Sequence, residues 1–186
     1  LLVLSGNEQV VNSNTKLNYY FIFTLIPVFL IGFWEDIRQT ISPQFRLLAS
    51  FCSAALFVNF FEYKISDVGF DFINSLLIFD FFAIFFTLIC IVFLIQSFNI
   101  IDGLNGLSLF TGIISLSLIA FFANETRDIQ IFSFSISLIS ILLGILIFNF
   151  PFGKIFIGDS GAYIIGFSVA CLVIMLSERY TAITPF

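Results

Sequence analysis

The chain has 186 residues, 60% of them hydrophobic and only 10% charged, with a mean hydropathy of +1.12. This excludes a soluble globular domain and indicates an integral membrane protein. A net charge of −5 leaves no basic stripe to neutralise a nucleic-acid backbone, so nucleic acid is excluded as a partner. A phosphorylated small substrate is not excluded, because a divalent cation can supply the positive charge.

The chain opens on Leu1 rather than Met, and residues 1–4 read as the tail of an earlier apolar segment, so a fragment without an interpretable signal peptide is expected. A spanning helix needs about 20 predominantly apolar residues. That rule predicts about six crossings, at 19–34, 45–61, 76–98, 104–123, 131–150 and 162–176. The connections 35–44, 99–103 and 151–161 then lie on one side of the membrane. Those at 62–75 and 124–130, with both termini, lie on the other.

The two sides carry nearly balanced basic residues: Arg38, Arg46 and Lys154 against Lys16, Lys64, Arg127 and Arg179. The excess of positive charge that marks a cytoplasmic side is therefore too small to orient the chain. In the 62–75 connection, residues 63–72 alternate apolar and polar with Gly69 near the middle, which predicts a short β-hairpin or, nearly as well, a plain polar loop. No repeat or soluble segment interrupts the pattern. The fold class expected is all-α, a polytopic transmembrane helix bundle, with 1–186 as one membrane domain incomplete at both ends.

Histidine is absent, which removes imidazole metal sites and Ser-His-Asp chemistry. Carboxylates remain as acid/base groups, and hard, oxygen-loving cations as the natural metals. Cys52, Cys90 and Cys171 stand alone in separate apolar runs without metal-ligand spacing and read as small buried residues. Asp80 has no glycine, amide or second carboxylate beside it and is placed at the opposite membrane boundary.

Three acidic sites stand out. Glu35-Asp36 closes the first crossing, where the helix dipole disfavours negative charge, so it calls for Arg38 as a local partner or for a metal, a proton or a phosphate-binding Arg46. Asp102, between the third and fourth crossings, is either an N-cap or part of a polar turn with Asn99, Gly103, Asn105 and Gly106 that can approach a ligand. Asp159, in Gly158-Asp159-Ser160-Gly161, opens the last crossing as an N-cap or as part of a cradle for a diphosphate. An even number of crossings separates each site from the next. All three are expected on one face.

Gly32-Phe33-Trp34-Glu35-Asp36-Ile37-Arg38 with Ser42-Pro43 and Arg46, then 99–107, then Lys154-Ile155-Phe156-Ile157-Gly158-Asp159-Ser160-Gly161, together resemble the polyprenyl-phosphate N-acetylhexosamine-1-phosphate transferases, glycosyltransferase family 4. The resemblance covers nearly the whole chain. It implies a Mg²⁺-dependent enzyme of the bacterial inner membrane that moves a sugar 1-phosphate from a UDP-N-acetylhexosamine to a polyprenyl phosphate and releases UMP, with its active site on the cytoplasmic face. It implies catalytic roles for Glu35, Asp36 and Asp102, with Asp36 orienting or deprotonating the acceptor phosphate. Substrate contacts fall to Asn99, Asn105, Gly103, Arg46 and Lys154, and metal binding to Asp159 and Asp102.

The sequence departs from the family pattern in three places. Glu35 replaces the first residue of an Asp pair, Asn105 stands where a second Asp is common, and Gln96 stands where Asn is common. The family also has helices before Leu1 and, after Phe186, further helices with a His-containing loop.

The short interval from Asp36 to Arg46 resembles the branch that starts envelope polysaccharides from UDP-GlcNAc. The phospho-N-acetylmuramoyl-pentapeptide transferases of peptidoglycan synthesis are the alternative within the family, and a homodimer is left open. An ion-coupled transporter, the rival from another class, would place its carboxylates near the midplane of repeated halves rather than at helix ends.

Overall fold

The structure, a computed structural model, describes the backbone of residues 2–180 and the side chains of residues 19–180. The expected apolar tail at 1–4 lies outside the described side chains. Among the described residues seven helices follow one another: α1 (Leu2–Arg38), α2 (Pro43–Phe61), α3 (Asp71–Leu77), α4 (Asp80–Ile101), α5 (Leu107–Glu125), α6 (Ile129–Asn149) and α7 (Gly158–Arg179). Six spans among the described residues are long and apolar enough to cross a membrane: Tyr19–Arg38 of α1, and α2, α4, α5, α6 and α7. Consecutive spans alternate in direction. The ends of α1, α4 and α6 therefore share a face with the starts of α2, α5 and α7.

α7 is the centre of the bundle. It packs against α1, α4 and α5, while α2 bridges α1 and α4 and α6 lies outside against α5. Accordingly 72% of the spanning window of α7 is buried, against 17% for α6. Large apolar side chains such as Ile22, Leu30, Phe93, Ile114 and Ile147 point outward from the surrounding helices. Lipid tails would meet them without penalty, so helix association rests on close packing and internal hydrogen bonds.

Pro27 shows how that bonding is completed. A proline inside a helix removes a backbone donor and disturbs the ladder around it. The neighbouring Val28 N–H donates instead to Ser53 Oγ of α2 at 3.1 Å, and both residues are fully buried.

The helix ends differ from the sequence expectation by a few residues, and the connection after α2 differs in kind. No strand occurs among the described residues, so the 63–72 hairpin is replaced by an extended loop followed by α3. The amides a hairpin would pair across strands are taken by side chains. Ile65 N donates to Thr87 Oγ1, Ser66 N to Glu178 Oε1, Val68 N to Asn74 Oδ1 and Gly69 N to Asp67 Oδ1. With these donors satisfied from α3, α4 and α7, a second strand has nothing to supply. Donation from Gly69 and Asn74 holds the Asp67 carboxyl below the usual carboxylate range.

A second network closes the same face. Asp128 caps α6 by accepting from Gln130 N and Ile131 N at 3.1 and 3.0 Å, and it accepts from Arg179 Nη1 at 2.8 Å. Arg179 Nε also donates to Tyr63 OH at 2.8 Å. Asp80, the first residue of α4, pairs with Lys64 on this face, opposite the acidic motifs.

Candidate active site

The opposite face gathers the acidic motifs. α1 continues past the predicted end at residue 34, so Glu35 and Asp36 sit in its last turn. Ser42-Pro43 then starts α2 with proline in the first turn, where its missing N–H is harmless. This brings Arg46 back beside them. Arg46 Nη1 lies 3.0 Å from Asp159 Oδ2 and 3.9 Å from Glu35 Oε1, and Glu35 Oε2 accepts from Ile41 N at 2.9 Å.

The start of α7 has no capping side chain of its own. Its cap comes from Asp36, far away in sequence. Asp36 Oδ1 accepts from Asp159 N at 2.7 Å, and Oδ2 accepts from Ser160 N at 3.1 Å and Ser160 Oγ at 2.6 Å. The carboxylate thus meets the positive end of the α7 dipole, a favourable place for negative charge. This corrects two expectations: Asp159 is not an N-cap, and the Asp159 and Ser160 amides expected to cradle a diphosphate are already held by Asp36.

Two glycines permit this docking. A Cβ on Gly158, whose φ is +71°, would fall 2.8 Å from both Asp36 carboxylate oxygens. A Cβ on Gly32 would fall 2.6 Å from the Ser160 Cα. The last turn of α1 therefore lies directly on the first turn of α7.

Asp102 follows α4 as its C-cap and does not cap α5, which begins later than predicted, after Gly106 at φ +80°. Its Oδ1 accepts a hydrogen bond from Ser108 Oγ. Burial raises the Asp102 carboxyl above its usual range, and the charges of Asp159 and Asp36 push it the same way, while the Ser108 bond partly offsets both. The third acidic group thus shares an electrostatic neighbourhood with the other two.

The remaining predicted residues surround this core. Asn99 is half-buried in the last turn of α4. The Asn105 side chain lies against Gly153 of the loop before α7, where a Cβ would come within 2.8 Å of it. Gly103 is in open space, with only the Ile100 carbonyl oxygen, 3.9 Å away, facing an added Cβ. Lys154 is exposed and its ammonium makes no ion pair among the described residues. Gln96 donates to Ser50 Oγ at 2.9 Å, and Ser50 Oγ donates to the Arg46 carbonyl at 3.0 Å, so it ties α4 to the base of the Arg46 turn. Ser50, Ser108 and Tyr163 were not singled out from sequence, since serines and a tyrosine within apolar runs carry no local signal. Ser160 differs in standing inside the Gly158-Asp159-Ser160-Gly161 motif.

Three carboxylates, a guanidinium and a helix start meeting at one membrane edge is an arrangement suited to anionic chemistry. The model of the Glycosyl transferase family 4 matches residues 18–177, which takes in every one of these groups. The chain belongs to glycosyl transferase family 4. Among family members it is 31% identical to the phospho-N-acetylmuramoyl-pentapeptide-transferase of Streptococcus gordonii, over 86% of this chain and 51% of that protein. It is 37% identical to the "Probable undecaprenyl-phosphate N-acetylglucosaminyl 1-phosphate transferase" of Bacillus subtilis, over 54% of this chain and 27% of that protein. The family member from Streptococcus sanguinis, also named phospho-N-acetylmuramoyl-pentapeptide-transferase, is 27% identical over 86% of the chain. The chain spans about half the length of the phospho-N-acetylmuramoyl-pentapeptide-transferases it matches.

Proposed function

We propose that the protein containing this chain transfers an N-acetylhexosamine 1-phosphate from a UDP-sugar to a polyprenyl phosphate and releases UMP, on the cytoplasmic face of the bacterial inner membrane. The observation that carries this reading is the convergence of Asp36, Arg46, Asp102 and Asp159 at one membrane edge in a chain of this family. An acceptor with a phosphate head and an isoprenoid tail suits that position. Its phosphate can stay in the headgroup layer beside Arg46 while its tail lies among apolar helices.

The donor set fits Mg²⁺. Asp102 and Asp159 each keep one oxygen outside the Ser108 and Arg46 contacts, and both are hard carboxylate ligands. Among the described residues no three acidic groups converge into a closed cage. An ion there would take one or two carboxylates and complete its shell with substrate phosphates and water. Held by Asp102 and Asp159, Mg²⁺ would neutralise charge on the diphosphate and on the departing phosphate.

Arg46 is the cationic side chain placed to meet phosphate oxygens, with Lys154 as an exposed second cation. Asp36 already accepts three hydrogen bonds from α7, so we assign it the orienting role and not that of a base. A phosphate monoester has a second pKa of about 6 and needs little help to ionise near neutrality.

The sugar is UDP-GlcNAc in our reading, on the short Asp36-to-Arg46 turn. The identity to muramoyl-pentapeptide transferases over 86% of the chain favours UDP-MurNAc-pentapeptide as the second reading. Membranes bearing the full-length protein, given each donor with polyprenyl phosphate, decide between them. UMP release should require one donor, the lipid and Mg²⁺. Its absence with both donors would refute the transferase reading.

A further inference from the structure

Beneath the Arg46 cluster lies a group the proposed chemistry does not use. Tyr163, one turn into α7, is completely buried, and its hydroxyl has no hydrogen-bond partner of normal geometry among the described residues. The ring is wedged where α1 and α7 touch, since a Cβ on Gly32 would come within 2.9 Å of its Cδ2. The hydroxyl stands within interaction distance of the Arg46 guanidinium, without a hydrogen bond of normal geometry between them, and within electrostatic reach of Asp159 and Glu35. A buried hydroxyl without a partner is costly, and phenylalanine would fill the same volume without that cost.

Arg46 in turn is committed to Asp159, one of the carboxylates assigned to the metal-bound diphosphate. A cation held by the free Asp159 oxygen draws on that carboxylate's charge and weakens its hold on the guanidinium through Oδ2. The Tyr163 oxygen is the neighbouring acceptor without a donor. We propose that Tyr163 is a positioning residue that accepts a hydrogen bond from Arg46 once Asp159 is engaged by the donor diphosphate and its cation, holding Arg46 toward the phosphate. The inference rests on the functional reading above and adds to it a residue outside the three motifs' charged set.

The test uses the purified full-length protein with Tyr163→Phe, read by UDP affinity in Mg²⁺, by steady-state kinetics of UMP release and by thermal midpoint. A station used equally in the ground and transition states acts on binding alone. The dissociation constant for UDP and the donor KM should therefore rise about tenfold, with kcat within about twofold, while the midpoint stays level or rises. In an Arg46→Met background the same substitution should have no further effect, because it acts through the guanidinium.

Unchanged UDP affinity and KM in Tyr163→Phe would overturn the proposal. So would a fall in thermal midpoint that accompanies the loss, or an additive effect in the Arg46→Met background. Wild-type protein that binds UDP but releases no UMP would refute the transferase reading instead, and the affinity comparison would still decide on Tyr163.

Discussion

At Asp102, burial and the charges of Asp159 and Asp36 act in one direction, so the folded protein holds this proton more tightly than the unfolded chain does. The sign for stability follows from linkage. Between the ordinary carboxylate value and the raised one, the folded state binds more proton than the unfolded state, so stability falls as pH rises through that window and stays reduced above it. Ionised Asp102 is thus a cost of folding that a bound cation would offset. Asp102→Asn should raise the thermal midpoint at neutral pH in chelator, while lowering turnover with Mg²⁺ by about a hundredfold or more. A lowered midpoint in chelator would show that the charge is not a burden. Asp36, Arg46 and Asp159 were legible in the sequence because each sits in a compact polar motif at the edge of an apolar run. The bond from Asp36 to the α7 amides was not. It joins residues 123 and 124 positions apart, and neither motif names the other as its partner.

Among the elements, α1 and α7 decide whether a site exists, because Asp36 reaches the Ser160 amide only when the helices approach to backbone contact at Gly32. Gly32→Val would place its Cβ 2.6 Å from Ser160 Cα, where backbone cannot yield as a flexible side chain can. Overpacking of this kind costs about 1–3 kcal/mol. A lowered thermal midpoint together with strongly reduced turnover is expected, and Gly32→Ala should show the same effects more mildly. Normal turnover in Gly32→Val would mean that the α1–α7 contact does not build the site. The six crossings were readable from apolar run length, with ends displaced by a few residues because polar groups such as Glu35 and Asp36 continue a helix once tertiary partners satisfy them. At 63–72, where a hairpin and a plain polar loop were nearly equal readings, the loop is what forms, for a related reason. Its alternation is real, but Thr87, Asn74 and Glu178 supply the acceptors that a paired strand would have supplied.

Across the whole molecule, the two faces are built for different tasks. The face opposite the acidic site is closed by Asp128, which caps α6 and pairs with Arg179 while only 5% of its side chain is exposed. Asp128→Ala removes a cap worth about 1 kcal/mol and takes from the part-buried Arg179 its carboxylate, a charged hydrogen bond worth about 1.5–3 kcal/mol. The thermal midpoint should fall clearly, while the donor KM of the surviving folded protein stays near wild type, because the two clusters occupy opposite ends of α7. A changed KM would show that the ends are coupled.

Orientation is the property that the near-balance of basic residues leaves open in the sequence, and the alternating helices turn it into a measurement. Gln39 and Lys154 lie on the acidic face, separated by an even number of crossings, and Asp67 lies on the other. Single cysteines at these positions in otherwise cysteine-free full-length protein should divide by side when intact cells meet a membrane-impermeant thiol reagent. The substituted Asp67 should react at once, and the substituted Gln39 and Lys154 only after permeabilisation, because UDP-sugars are supplied from the cytoplasm in the proposed reaction. All three positions are exposed, so protection reports the membrane and not burial. Reaction of Gln39 and Lys154 in intact cells with protection of Asp67 would keep the helix arrangement and reverse the orientation. Reaction of Gln39 and Lys154 from different sides would break the crossing count itself, and with it the meeting of Asp36 and Asp159 on which the site depends.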